Sequence, residues 1–230
     1  MKLSFTQILT SSLVASLLVL SGCSIGQKSS PSIFYVLTPM PADTNPLPEF
    51  NDDPPNVGVS RVQIPSFIDR PQLTYRLNKN EINFSEFHRW GEPIGDGVTR
   101  VLRQNLTELL GAGKVSAFPW MQPYPRDFVF GAVVTDFAAG SDGRARLTVI
   151  YRISDAKNEK TLLVREAQFV DSDGEALAPA NAVAAMSRLL EQFSKSAAQD
   201  LANVNRQLDV EALENLEDSL AEQEEEYVDQ

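Results

Sequence analysis

The chain has one cysteine, one histidine, two tryptophans and no cluster of lysine and arginine among its 230 residues. A single thiol excludes an internal disulfide, and with one histidine it leaves no ligand set for a structural zinc site and no Cys–His nucleophile pair. The missing basic cluster argues against a nucleic-acid surface. No Gly-x-Ser-x-Gly elbow accompanies His88, and Gly95-Asp96-Gly97 lacks the third glycine and the lysine of phosphate-binding loops. Asp171-Ser172-Asp173-Gly174 lacks the later glutamate of a calcium loop and reads as a turn. Together these absences predict a protein that is not an enzyme and carries no metal or cofactor.

The one cysteine is placed where it matters. Lys2 precedes an apolar run ending in Leu20-Ser21-Gly22-Cys23, and Thr10, Ser11, Ser12 and Ser16 interrupt that run. A membrane-spanning helix needs about 20 apolar residues, so 1–22 reads instead as a secretory signal with small residues before the cleavage point. A cysteine directly after them makes it a lipoprotein signal: Cys23 is the expected lipidation site, carrying diacylglycerol and an N-acyl chain such as palmitate. One chain holds a protein to a bilayer only marginally, whereas two or three hold it firmly. The body is expected outside the cytoplasm, and Ser24 after the cysteine favours the outer membrane.

Charge is distributed unevenly. The formal net charge is −11, yet ten acidic residues and no basic ones lie between Asp209 and Gln230. The tail 206–230 therefore sets the acidity. It reads either as a solvated, disordered extension or as a loosely docked helix through Leu213, Leu216 and Leu220, the first being preferred because Glu224-Glu225-Glu226 repel one another.

Between tether and tail the pattern is that of one domain, 33–205. Residues 23–32 form a polar, lipidated tether. Ile33 to Leu37 reads as an edge strand, followed by an extended loop rich in proline from Pro39 to Pro55. Short strands are expected at 57–62, 73–77 and 81–87, with Asn78-Lys79-Asn80 as a turn. Ile94, Val98, Val101, Leu102, Leu106, Leu109 and Leu110 form one helical stripe closed by Gly111. Strands follow at 115–118, 128–137, 145–153 and 161–170, then a second long helix from Pro179. This order predicts an α+β fold, a mostly antiparallel mixed sheet with two long helices packed on one face.

Phe67, Ile68, Asp69 and Arg70, between Pro65 and Pro71, are the candidate partner-binding residues, with Trp90. Apolar side chains beside a guanidinium fork and an aromatic ring are what interfaces favour. The competing reading places Trp90, Phe84 and Phe87 in the core.

A family resemblance is carried by the same residues. The lipoprotein signal, Phe34-Tyr35-Val36-Leu37, the run from Val57 through Arg61, Pro65 and Asp69 to Leu73, and Arg89-Trp90-Gly91-Glu92-Pro93-Ile94 occur in an order similar to the ABC-type transport auxiliary lipoproteins, the PqiC/YmbA-like group. The resemblance covers about Leu20 to Asn205. It implies an outer-membrane lipoprotein facing the periplasm, a non-catalytic docking component for an MCE-domain protein in a lipid transport system that supports envelope integrity. It also makes a homo-oligomer plausible. The alternative is a periplasmic lipid carrier with an apolar cavity.

Overall fold

The computed structural model describes residues 30–42, 46–50, 54–120, 125–157, 160–171, 173 and 175–228. The chain divides into two units, Met1–Pro31 and Ser32–Gln230, and the fold below is that of the second. Cys23 and the segment 1–22 lie outside the described residues.

Eight strands form one mixed sheet: β1 (Ile33–Tyr35), β2 (Val57–Val59), β3 (Gln72–Arg76), β4 (Ile82–Trp90), β5 (Val115–Ala117), β6 (Phe128–Gly140), β7 (Ala145–Asp155) and β8 (Thr161–Val170). β6 is its hub. On one side β7 pairs antiparallel along nearly all of it, and β8 continues antiparallel beyond β7. On the other side two branches share β6. Its start takes β2 in parallel, which leads to β5, and its end takes β3 in parallel, which leads through β4 to β1. The long pairings are antiparallel and the parallel ones are two or three residues each, so the fold is the expected α+β arrangement with a mostly antiparallel mixed sheet.

Alternation decides which face is covered. Along β6, Phe128, Phe130, Ala132 and Val134 are buried while Val129, Gly131, Val133 and Thr135 turn outward; β7 repeats this with Leu147, Val149, Tyr151 and Ile153 inside. Two helices cover the inner face, α1 (Ile94–Leu110) and α2 (Pro179–Val228). The stripe on α1 is buried from Ile94 to Leu110, and the helix ends where Gly111 takes φ 103° and donates its N–H to Thr107 O at 3.0 Å. On α2, Phe193 packs against Phe130, Tyr151 and Phe169, with ring centroids 5.4–6.2 Å apart. Such aromatic contacts add to the burial of area itself.

Two segments differ from the sequence-based expectation. The proline-rich loop after β1 lies pinned across the helix pair. Leu37, Met40 and Phe50 enter the core, Pro48–Phe50 forms a 3-10 turn, and Leu47 N–H donates to Leu109 O at 2.9 Å. Proline denies this segment a sheet ladder, and its free N–H groups turn to the helices instead.

The tail is corrected as well. The preferred reading of a disordered extension gives way to a helix that continues α2 to Val228. Propagation from an already packed helix avoids the cost of nucleation, and Leu, Ala and Glu sustain it. Val204 and Leu208 are the last residues on α2 to touch the core. Beyond them Val210, Leu213, Leu216 and Leu220 are 49–61% exposed. Among the described residues no helix is long and apolar enough to cross a membrane.

Candidate functional site

The loop after β2 folds into a compact turn in which Ile68 and Asp69 N–H both donate to Pro65 O at 2.9 Å. That turn separates the candidate residues. Phe67 is 37% exposed, whereas Ile68 is 2% exposed and sits in the core. Ile68 is therefore corrected from a surface contact to a core residue, because the turn aims it under the sheet edge. Trp90 follows the competing reading of the sequence, that of a core residue. It is 6% exposed, and its N–H donates to Pro71 O at 2.8 Å, which fixes it at the inner end of β4.

Asp69 and Arg70 do remain at the surface, and the rim of Trp90 meets them. With Pro71, Glu92 and Pro93 they line a groove of about 320 Å³. The Arg70 guanidinium lies 5.0 Å from the centroid of the half-exposed Phe84 ring, a cation–π contact. Glu92 does not face the groove unpaired: it receives Arg100 at 2.6 Å, and Arg100 also donates to Leu37 O at 2.9 Å. This pair ties the exit of β1 to α1.

β1 is the part of this surface that the loop motif did not reveal. Among the described residues it pairs with β4 only, so its other edge has no strand partner there. Ile33, Phe34 and Val36, on and just after it, are 50%, 64% and 52% exposed. The signal was present: successive apolar residues in a short edge strand cannot all face inward. Exposed apolar groups beside a free edge can take a partner by strand addition, with the backbone supplying affinity and the side chains specificity. Tyr35 is the inward anchor. Its hydroxyl lies 3.0 Å from His88 Nδ1, which gives the lone histidine a structural partner. Tyr75 is close by, and burial first, then Tyr35, raises its phenol pKa.

The other motifs resolve into packing. A Cβ on Gly95 would meet Ile64 at 3.3 Å and one on Gly97 would meet Glu92 at 3.1 Å, so these glycines serve close approach. Asp96 pairs with Arg61 at 2.7 Å. Asp171, 5% exposed, accepts from Arg188 Nε at 2.7 Å, which holds its carboxyl below the ordinary range. Among the described residues no group of three His, Cys, Asp or Glu is placed to hold a metal ion.

A family model described as the ABC-type transport auxiliary lipoprotein component matches residues 35–198. The fold is similar to a crystal structure of a Xanthomonas campestris protein of family DUF330, with TM-score 0.65, 15% identity, and 77% of this chain and 99% of that one covered. A second crystal structure, of an uncharacterized protein, aligns with TM-score 0.53 and 17% identity over 78% and 99% of the two chains. No curated protein matches the sequence. The matched span contains α1, the sheet apart from Ile33 and Phe34 of β1, α2 as far as Ala198, and the groove beside Trp90.

Proposed function

The chain belongs to the ABC-type transport auxiliary lipoprotein components, and from that premise we propose that it is an outer-membrane-anchored, periplasmic docking component of an MCE/ABC-type lipid transport system. Acyl chains on Cys23 hold it at the membrane. Nine residues lie between Cys23 and Ile33, ten steps with a reach of at most about 35 Å, so β1 is the part of the domain closest in sequence to the anchor.

The observation that carries this reading is the exposure of Ile33, Phe34 and Val36, on and just after a strand whose outer edge has no strand partner among the described residues. An MCE-domain protein reaching across the periplasm docks there, against Phe67 and the Arg70–Phe84 pair. Burying Phe34 on a partner contributes about 1.5–3 kcal/mol. Several copies of the chain surround the end of the conduit, so that apolar cargo passes without meeting water. The protein acts by position, and its own residues perform no bond chemistry.

Affinity capture of the full lipidated chain from solubilised envelopes tests the proposal. The MCE protein encoded beside it is expected in the eluate, and Phe34→Glu is expected to reduce its recovery about tenfold, about 1.4 kcal/mol. Recovery of no MCE protein, after crosslinking as well, would overturn the reading.

A further inference from the structure

The face of the sheet turned away from the helices holds a second feature, independent of the docking edge. Register places its outward residues in rows across the strands. Ser116, Gly58 and Val129 form one row, Gly131 and Arg152 with Val164 the next, and Val133 beside Ile150 a third. Gly58 and Gly131 open the floor of the first two rows, and large side chains fill the space above them, Arg126 and Trp120 over the first and Arg152 of the second row over Gly131. At Gly58 a Cβ would come within 2.7 Å of Arg126 Cδ and 3.0 Å of the Trp120 ring. At Gly131 the Arg152 side chain crosses in van der Waals contact, its Nε 3.4 Å from where a Cβ would be.

This leaves two adjoining cavities that share Ser60 and Arg152. One, of about 480 Å³, is walled by Trp120, Phe118 and Arg126. The other, of about 230 Å³, is walled by Val133, Ile150 and Val164. The first is aromatic with two arginines and has Asp155 in its wall, and the second combines an aliphatic side with the polar Arg61 and Gln63.

The cationic end has unused hydrogen-bonding capacity. The Arg126 guanidinium sits 4.8 Å from the Trp120 ring centroid, and its Nε and Nη1 are buried with no partner among the described residues. Ser116 Oγ, on the same face, is likewise buried and unpartnered. No described residue pairs with Arg152, which stands between the two cavities. Asp155, in the wall of the first cavity, accepts Lys157 N–H at 2.6 Å. Arg61, at the mouth, is held by Asp96 at 2.7 Å. Unpaired buried donors are costly unless a ligand meets them. A guanidinium fork selects planar or tetrahedral oxyanions. Val133, Ile150 and Val164 give the second cavity an apolar side opposite Arg61 and Gln63, and Glu166, paired across from Ile150, bounds it.

We propose that this outer sheet face binds an anionic amphiphile, with a phosphate or carboxylate headgroup between Arg126 and Arg152 and its alkyl chain along Val133, Ile150 and Val164. The site lies on the open surface of the sheet, and it stands whether or not an MCE protein docks at β1. Trp120 is a built-in reporter, since a headgroup at Arg126 changes the environment of its ring.

The test uses the whole mature chain carrying Cys23→Ser, so that no acyl group of its own competes. Decyl phosphate, kept below its micellar concentration, is titrated while tryptophan emission is followed. A saturable change is expected, absent in Trp120→Phe. Arg152→Gln and Val164→Glu, both at exposed positions, are expected to weaken binding at least fivefold while thermal unfolding stays unchanged. Inorganic phosphate and decyl maltoside are expected to bind at least tenfold more weakly than decyl phosphate. Equal binding of inorganic phosphate would reduce the site to an anion site and overturn the proposal. Equal binding of decyl maltoside, no saturable response, or indifference to both substitutions would overturn it too.

Discussion

Asn105 and Ser194 meet side chain to side chain at 3.1 Å, both fully buried, at the crossing of α1 and α2. Asn105 Oδ1 also accepts Met40 N–H at 2.8 Å, so one amide joins both helices and the proline-rich strap. Asn105→Ala leaves the Met40 N–H without its acceptor and Ser194 Oγ without its donor. A loss of about 1–3 kcal/mol is expected, read as a lowered midpoint in urea unfolding. Surface substitutions on the tail, such as Glu217→Gln, are expected within about 0.5 kcal/mol of the parent.

Acid stability depends on the Asp171–Arg188 contact. Arg188 holds the folded-state pKa of Asp171 below its ordinary value, close to 3.9 in an unfolded chain. The contribution is present above about pH 4 and is lost as pH falls through the lower folded-state value. Asp142, held down to about 2 chiefly by its hydrogen bond to Arg146, acts in the same window from a more exposed place. In Arg188→Gln the fall in unfolding midpoint between about pH 4 and pH 2 is expected to be shallower than in the parent. Parallel acid limbs would show that the pair contributes nothing.

At alkaline pH the informative group is Tyr151. Burial, then its hydrogen bond to Asp200 at 2.5 Å, pushes its phenol up to about 12. An unfolded tyrosine ionises near 10. Stability from this group is complete below about pH 10 and declines as pH rises towards 12. Tyr151→Phe is expected to flatten that decline, with tyrosinate absorbance at 295 nm showing one fewer late-titrating group.

Much of the fold could be read from periodicity, because each helix and long strand buries one regular face. The α1 stripe and its stop at Gly111, and the β6–β7–β8 meander, follow from alternation alone. What escaped depends on contacts between distant segments. Nothing near Pro39 indicates that Thr38 N–H donates to Ser187 Oγ, 149 residues away, at 3.1 Å. Composition in a loop likewise cannot say that Pro65 turns the chain so that Phe67 points out and Ile68 in. The helical tail is hidden for a related reason: its own charges repel, and the packed helix from which it extends is set by contacts elsewhere in the chain. The arginines on the outer sheet face were invisible because register, set by long-range pairing, is what brings them together.

Membrane attachment is expected to depend on one residue, Cys23. Labelled palmitate should enter the wild-type chain and not Cys23→Ala, whose domain keeps its unfolding midpoint because the core contains no cysteine. Incorporation into Cys23→Ala would move the anchor elsewhere.

Docking at the β1 edge is tested most directly by a photocrosslinking residue at position 34, in place of Phe34, in growing cells. Irradiation is expected to join the chain to an MCE-domain protein, and the same residue at Leu216 on the exposed tail to give no such product. Failure of position 34 to reach any MCE protein, with the chain present at its normal level in the envelope, would contradict docking there.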